Sequence, residues 1–422
     1  MQIWEDMAMK DKLIEGLIKQ EEKRQKAAVN LIASENYVSA EVLKALGSEL
    51  VNKYAEGYPG KRYYGGNEVI DQIEEECQKR ALKLFKLKEK DWAVNVQPLS
   101  GSPANLAVYL ALVKPGDKIM GMSLDHGGHL THGHKVSISG KVWKQVAYGV
   151  DKKTEQLDYD EIEKIAKREK PALIVAGYTA YSRQVDWKKF RQIVNKIVHP
   201  EPGRRTILMV DMSHLAGLVA GGAYPSPFPY ADVVTTTTHK TLRGPRAALI
   251  FSARRPPQNF PVIKGKSVLR RSPRSINELI DKAVFPGIQG GPHANQIAAV
   301  AVALGEAMRP EFKTYAKQVV KNAKALSGEL KKLGWRIVSG GTDSHLFLID
   351  TWLGGEGIGG KEASEKLERA GIIVNKNAIP FDTRSPMDPS GIRLGTAAET
   401  TRGKKEKEII ALAEKINKIL RN

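Results

Sequence analysis

The chain is poor in cysteine and has no long apolar run. Cys77 is the only cysteine among 422 residues, which excludes a disulfide framework and a cysteine-based metal site. No 18 consecutive residues are apolar, so the sequence predicts no membrane span. The N-terminal stretch 1–26 carries charges throughout, as an amphipathic helix does and a signal peptide does not. We therefore expect a soluble, cytoplasmic protein.

Internal repeats and low-complexity segments are also absent. At 41% hydrophobic and 27% charged residues, the chain has the composition of a protein that buries a full core. Its formal net charge of +19 fits nucleic acid, an anionic membrane or anionic small molecules as partners, and equally a general bias of the source organism. Because no aromatic-basic RNA motif occurs, we expect small-molecule substrates and no nucleic acid or membrane partner.

Basic charge is concentrated in one segment, 254–274, which holds seven Lys or Arg residues and no acidic residue. A solvated surface loop explains such a segment. The alternative is a rim that attracts anions, whose effect would weaken with salt because exposed charges are screened within about 10 Å. The sequence leaves both interpretations open.

Extended segments and helical patterns alternate along the first 300 residues. Helical patterns at 103–113, 158–168 and 186–197 lie between extended segments at 92–97, 118–122, 172–176, 206–210, 232–235 and 247–251. This alternation predicts an α/β fold with a largely parallel sheet and helices on both faces.

A second set of elements follows. We expect one long helical stretch, shorter strands and further helices, at 293–333, 336–339, 345–350, 361–370, 372–375 and 403–421. The division that we predict is an N-terminal helical arm (1–30), a large domain (31–300) and a small C-terminal α/β domain (301–422).

One lysine stands at a position typical of ligand sites. The segment TTTTHKTLRGPR (235–246) begins with a threonine run, which favours a strand because β-branched side chains are stiff. Gly244 and Pro245 interrupt any extension of that strand. Lys240 should therefore lie just past a strand end, where ligands bind in open α/β sheets.

A tight turn at Ser100, Gly101 and Ser102 precedes a predicted helix. Free N–H groups and the positive end of the helix dipole would suit a phosphate there, and an ordinary capped helix is the alternative. Asp211 and His214 follow another strand, so the Asp211 carboxylate should lie at the C-terminal edge of that strand. A metal ligand and a helix-capping residue are the alternative interpretations of Asp211. Together, Lys240, Asp211 and the turn supply the amine, the carboxylate and the phosphate cup that pyridoxal phosphate requires.

Four histidines occur in HGGHLTHGH (126–134). The choices are a ring that stacks on an aromatic cofactor, a metal site and plain structural histidines. Because only Asp125 accompanies them, we expect no metal. The glycines of Gly355-x-Gly357-x-x-Gly360 have the spacing of a dinucleotide fingerprint, but the next strand ends in Asn375 and Lys376 instead of an acid, so this is weak evidence.

Ten segments resemble the serine hydroxymethyltransferase family, the pyridoxal-phosphate enzymes of one-carbon metabolism. In the family's order across residues 28–403 they are LIASENY, NKYAEGYPGKRYYGG, QPLSGSPANLAVY, HGGHLTHG, VDMSHLAGL, VVTTTTHKTLRGPR, FPGIQGGPH, SGGTDSHLFLID, VNKNAIPFD and SGIRLGT. The resemblance implies fold type I, with a seven-stranded sheet domain, a smaller C-terminal domain, and a homodimer or tetramer.

The resemblance also implies roles at the cofactor. Lys240 should carry pyridoxal phosphate as a Schiff base, Asp211 should pair with its ring nitrogen, and His129 should stack on the ring. His214 should hydrogen-bond the ring hydroxyl. Further residues of the cofactor site are then Ser100, Gly101, Ser102, Thr179, Thr237 and His239. Thr179 replaces a serine that many members have, with its hydroxyl retained.

For the substrates, the resemblance implies that Arg393 binds the amino acid's carboxylate with help from Ser34, and that Glu56 moves protons. Arg246 and Tyr64 would complete that site. Tetrahydrofolate, or a related pterin, would lie near Leu124, Gly128, Leu130 and Asn377. A partner subunit would supply Tyr54, Glu56, Tyr64, Gly290 and Gly291.

The implied reaction converts serine and tetrahydrofolate to glycine and 5,10-methylenetetrahydrofolate, reversibly. The alternative activity is that of an aldolase that cleaves 3-hydroxy amino acids without a pterin.

Overall fold

The computed structural model describes residues 9–201, 204–254 and 275–422. Of the basic segment 254–274, only Arg254 lies within these residues, so both interpretations of that segment fall outside them. No helix in the described ranges is both long enough and apolar enough to cross a membrane.

A seven-stranded mixed sheet forms the centre of the larger part of the molecule. Its strands run in the order β4, β10, β9, β8, β7, β5, β6. Only β10 is antiparallel to its neighbours. The strands are β4 (Trp92–Asn95), β5 (Lys118–Met122), β6 (Lys144–Tyr148), β7 (Leu173–Gly177), β8 (Ile207–Asp211), β9 (Val233–Thr237) and β10 (Ala248–Ala253). The predicted alternation is confirmed, and β6 is an edge strand that we did not predict.

Helices cover this sheet and continue beyond it. They are α1 (Lys12–Ala27), α2 (Ala40–Leu46), α3 (Glu68–Leu84), α4 (Gly101–Leu112), α5 (Ile138–Val142), α6 (Tyr159–Glu169), α7 (Trp187–Asn195), α8 (Ala216–Ala220), α9 (Ile276–Lys282), α10 (Ala294–Ala307), α11 (Pro310–Lys332), α12 (Gly360–Arg369), α13 (Ala397–Thr401) and α14 (Glu406–Arg421). The helical stretch predicted over 293–333 is present, but it is divided into α10 and α11 because Pro310 begins a second helix. Proline lacks the N–H that would continue α10 and suits a first helical turn.

A separate four-stranded sheet has the strand order β11, β12, β15, β14. Its strands are β11 (Arg336–Ile337), β12 (Leu346–Asp350), β14 (Asn375–Asn377) and β15 (Gly391–Gly395). The extended piece predicted at 372–375 is two short strands, β13 (Ile372–Ile373) and β14. Strand β15 was not predicted. Two further pairs are short: β1 (Val29–Asn30) pairs with β13, and β2 (Gly57–Tyr58) with β3 (Lys61–Arg62).

The smaller sheet has its own apolar core, which includes Leu31 from the N-terminal segment beside Phe347, Ile392 and Ile416. The segment from Val29 to Leu31 therefore packs with the C-terminal part of the chain. The boundaries at residues 30 and 300 stay a prediction.

A buried carboxylate fastens the N-terminal segment. Glu399 in α13 is fully buried and accepts a hydrogen bond from the backbone N–H of Asn30 at 2.8 Å. It pairs with Arg402 at 3.1 Å and with Lys404. The guanidinium of Arg402 also donates to the carbonyl of Ala28 at 2.6 Å. These contacts fix the chain just ahead of the segment LIASENY.

We expect Glu399→Gln to lower the free energy of unfolding by about 2 kcal/mol, less than the loss for a fully buried pair because both cations are partly exposed. Urea denaturation at fixed protein concentration measures this change. Glu21→Gln, which removes an exposed partner of Arg24, is the matched control and should change stability far less. Equal effects of the two substitutions would contradict the anchoring role.

Candidate active site

Four chain segments bring polar side chains to one edge of the large sheet. Strand β8 ends at Asp211, and Lys240 follows the end of β9. Helix α4 begins at Gly101 after β4, and Thr179 follows β7. They meet at a cavity of about 310 Å³, the usual place for a ligand in an open α/β sheet. Its lining contains twelve of the predicted site residues: Ser34, Ser100, Gly101, Ser102, His129, Thr179, Asp211, His214, Thr237, His239, Lys240 and Arg246.

The amine of Lys240 lies in the interior of this cavity and donates to Thr237 Oγ1 at 3.1 Å. Burial lowers the pKa of Lys240 to about 8, with Asp211 opposing this effect and Arg393 and Arg246 adding to it. A lysine with this pKa has a larger neutral fraction near pH 7 than an ordinary lysine, and the neutral amine is the nucleophile.

Asp211 is buried and is held as a carboxylate. Burial opposes the charge, but hydrogen bonds hold the pKa of Asp211 well below its usual range. They come from His132 Nε2 at 3.1 Å, Ser213 Oγ at 2.5 Å and Asn105 Nδ2 at 3.0 Å. Such a carboxylate suits a protonated ring nitrogen.

The start of α4 is suited to a phosphate. Ser100 is the N-cap residue, and within the described chain its side chain makes no capping hydrogen bond. The N–H groups of the first turn are therefore open to an anion. A Cβ atom on Gly101 would lie 2.7 Å from Thr237 Cγ2, so only glycine allows this close approach. The residues present thus fit the three groups of pyridoxal phosphate, namely its aldehyde, its ring nitrogen and its phosphate.

The four histidines of HGGHLTHGH do not form one cluster. His129 lines the cavity, and its Nδ1 accepts from the N–H of Thr131 at 3.1 Å. Burial, with His132 adding, lowers the pKa of His129 to about 4, so the ring is neutral. His126 instead accepts from the N–H of Val150 at 3.1 Å. No group of three or more possible metal ligands occurs in the ranges that the structure describes.

Arg393, on the smaller sheet, is not among the residues that line the cavity but contacts Thr179, which is. Arg393 lies on β15, where its Nη1 donates to the carbonyl of Thr179 at 2.7 Å and its Nε to Asn375 Oδ1 at 3.1 Å. Burial lowers the pKa of Arg393 to about 10. Among the described residues no carboxylate forms an ion pair with it, although buried charges are normally paired. A carboxylate ligand would supply the missing partner.

Five predicted residues form a separate cluster outside the cavity lining. Tyr54 and Tyr64 pack edge to face with ring centroids 5.2 Å apart, and the Tyr54 hydroxyl donates to Glu56 Oε1 at 3.4 Å. Gly290 and Gly291 lie against Glu56 and Tyr54. Tyr54 and Tyr64 are 54% and 49% exposed, so this cluster, which we call the tyrosine cluster, faces outward.

The residues predicted for the pterin also lie outside the cavity lining. The carbonyl of Gly128 accepts from Thr179 Oγ1 at 2.9 Å, which places that glycine beside the site. Leu130 is exposed, and the side chain of Asn377 donates to the carbonyl of Ala378 at 2.7 Å. Leu124 begins a short 3-10 turn. A pterin site at these four residues stays a prediction.

Sequence reasoning missed several polar neighbours of the cavity. Asn105, His132 and Ser213 all bind Asp211, and Asn36 Nδ2 donates to the carbonyl of Lys240 at 2.9 Å. Asn105 lies one turn after the predicted phosphate turn, and His132 lies within the histidine run. For Asn105 and His132, position near those motifs was the only signal in the sequence, since Asp211 is distant from both along the chain, whereas Ser213 lies two residues from Asp211.

This combination of sheet and site is that of the pyridoxal-phosphate enzymes of fold type I. Within that class, the chain belongs to the serine hydroxymethyltransferase family, whose model, described as "Serine hydroxymethyltransferase", matches residues 7–416.

Curated relatives agree with this membership. A protein named serine hydroxymethyltransferase from Legionella pneumophila (strain Lens) is 53% identical over 412 residues, which cover 98% of this chain and 91% of the relative. One of the same name from Desulfotalea psychrophila (strain LSv54 / DSM 12343) is 51% identical over 416 residues, covering 99% and 90%. The predicted family, fold class, enzyme class and cofactor are thereby confirmed, and hydroxymethyl transfer is supported over the aldolase alternative.

The lowered pKa of Lys240 has a measurable consequence. In cofactor-free protein, the methylated amine of Lys240, observed by NMR after reductive methylation with labelled formaldehyde, should titrate near pH 8. Asp211→Asn should move this midpoint to lower pH, because the negative charge that favours the ammonium form is lost. Asp160→Asn, on the exposed face of α6, is the control and should leave it unchanged. A midpoint above pH 10 would show that the amine is not desolvated.

Proposed function

We propose that this chain transfers the hydroxymethyl carbon of L-serine to tetrahydrofolate, reversibly, giving glycine and 5,10-methylenetetrahydrofolate, and that the cavity around Lys240 is its catalytic site. The observation that carries the proposal is the pairing, in one cavity, of a lysine whose pKa is about 8 with a carboxylate held ionised. We further propose that the enzyme acts in the cytoplasm as a homodimer.

The residues that would hold pyridoxal phosphate are Lys240 at its aldehyde, Asp211 at its ring nitrogen and the turn 100–102 at its phosphate. His129 would lie against the ring, with Thr179, His214 and His239 also in the lining. When bound, the cofactor supplies an electron sink for the bonds that break at the substrate's α-carbon. Asp211 would keep a proton on the ring nitrogen, because an ionised carboxylate favours the protonated form.

The chain's own residues orient the serine. Arg393 would bind the substrate's carboxylate through two parallel N–H groups, since the planar guanidinium matches a carboxylate. Ser34 and Arg246, at the same cavity, would assist it. Glu56 would take up and return the proton at the hydroxymethyl oxygen, and Tyr64 would lie beside it. Holding the reacting groups together in this way keeps formaldehyde from escaping.

The decisive experiment measures both the cofactor link and pterin dependence. Borohydride reduction of the holoenzyme followed by peptide mapping should label Lys240, and Lys240→Ala should abolish multiple turnover of serine with tetrahydrofolate. Lys164→Ala, at an exposed position of α6, is the control and should retain the wild-type rate. A label on Lys53 or Lys376, or serine cleavage that a pterin does not accelerate, would refute the proposal.

The tyrosine cluster supports a site shared between two subunits. Glu56 does not line the cavity of its own chain, yet the proposed chemistry needs a proton carrier at the substrate. The cluster and its neighbour Tyr63 expose aromatic surface, as interaction sites do. In a two-fold symmetric dimer, this surface of one chain would complete the cavity of the other.

Mixing two inactive variants tests this arrangement. When Lys240→Ala and Glu56→Gln exchange subunits equally, about half of the dimers are mixed and one of their two sites is intact, so about a quarter of wild-type activity should return. The matched control combines Lys240→Ala with Asp211→Asn, whose lesions affect the same chain's cavity, and should restore nothing. No recovery in the first mixture, with exchange verified by mass-tagged subunits, would mean that each chain builds its own site.

A further inference from the structure

A second histidine lies behind His214. His345 precedes β12 in the segment SGGTDSHLFLID and is fully buried. The planes of its ring and of the His214 ring are inclined by 27°, with centroids 5.3 Å apart. His345 Nε2 lies 3.2 Å from His214 Nδ1. His214 lines the cavity, whereas His345 does not, so the pair runs from the cavity into the interior.

The surroundings of this pair determine where its protons lie. His345 Nε2 is also 3.2 Å from the carbonyl oxygen of Ala33. Since a carbonyl can only accept, His345 Nε2 must carry a hydrogen. That hydrogen also faces His214 Nδ1, which must then be the unprotonated nitrogen of its ring. The proton of His214 is therefore on Nε2.

Both rings are neutral, which this assignment requires. Burial, with the charges of Lys240 and Arg393 adding, lowers the pKa of His214 well below its usual range and that of His345 to about 3. In a neutral His345 protonated on Nε2, Nδ1 has no hydrogen. Among the described residues Nδ1 is in fact buried without a hydrogen-bond partner. An unprotonated nitrogen there avoids the burial of an unpaired N–H donor.

We propose that His345 is a positioning residue that fixes the tautomer of His214, so that His214 presents its Nε2–H group to the ring hydroxyl of the cofactor. The proposal rests on the proposed function, because it assumes that the cavity binds pyridoxal phosphate. His345 itself touches neither cofactor nor substrate. It acts through His214, as the second partner of a histidine does when it selects which nitrogen carries the proton.

The same hydrogen bond connects three parts of the fold. His214 follows β8 of the large sheet, His345 precedes β12 of the smaller sheet, and Ala33 belongs to the N-terminal segment. Ala33 is the neighbour of Ser34, which lines the cavity. The N–H of His345 thus sets the proton on His214 and contacts the segment that carries Ser34.

Three substitutions separate the hydrogen bond from the packing. His345→Gln keeps an N–H donor near the position of Nε2. His345→Asn places its amide near Nδ1, the nitrogen without a partner, and is the matched control for the amide group. His345→Phe keeps an aromatic ring at this position and removes the donor. The readouts are the ¹⁵N NMR signals of the His214 ring in holoenzyme, assigned with His214→Gln, and the affinity for pyridoxal phosphate.

In the wild-type protein and in His345→Gln, we expect the ¹⁵N spectrum to show His214 protonated on Nε2. In His345→Phe and His345→Asn, the Nδ1-protonated form should appear, and cofactor affinity should fall about tenfold, as for the loss of a buried hydrogen bond. Gel filtration and thermal melting verify that each variant is folded. If the Phe variant does not fold, the comparison of the Gln and Asn variants alone tests the role of the N–H donor.

An unchanged His214 tautomer in the Phe and Asn variants would overturn the proposal. Equal losses of affinity in Gln and Asn would also overturn it, because His345 would then act through ring packing alone. The tautomer is measured without serine or pterin, so this result is separate from a failure of the proposed reaction.

Discussion

The rest of the site depends on the buried negative charge of Asp211. A carboxylate without partners is costly to bury, and here three side chains donate to it. Asn105 comes from α4, His132 from the histidine run and Ser213 from the turn after β8. These donors can reach one carboxylate only if α4 and the histidine run meet at the end of β8. The requirement to satisfy this charge therefore fixes the edge of the sheet at which ligands bind.

Burial determines which of the titratable groups around Asp211 are neutral and which are charged. His129, His214, His239 and His345 are all neutral, since burial lowers each pKa far below its usual range. Positive charge is left to arginine and to the part-ionised Lys240. Because the turn 100–102 also favours anions, the cavity is suited to a ligand with a phosphate and a carboxylate. The neutral histidines then contribute hydrogen-bonding groups and no positive charge.

The parts of the site that the sequence predicted are those encoded by local patterns. The threonine strand before Lys240, the apolar strand before Asp211 and the turn 100–102 each contain their own signal, and all three meet as predicted. Strand β15 is short and contains Arg393, so it has little of the pattern of a buried strand; only the family resemblance pointed to that arginine. The role of His345 could not be predicted from the sequence, because its contact with Ala33 joins positions 312 residues apart.

The two sheets are coupled electrostatically as well as through contacts. Arg393, on the smaller sheet, contributes to the lowered pKa of Lys240 on the larger one. A carboxylate bound to Arg393, as proposed for the substrate, would neutralise part of that positive charge and so would raise the pKa of the free Lys240 amine. By linkage, the ammonium form of Lys240 and the bound carboxylate stabilise each other. The arginine proposed to bind the substrate's carboxylate therefore also contributes to the lowered pKa of Lys240, even though the two residues belong to different sheets.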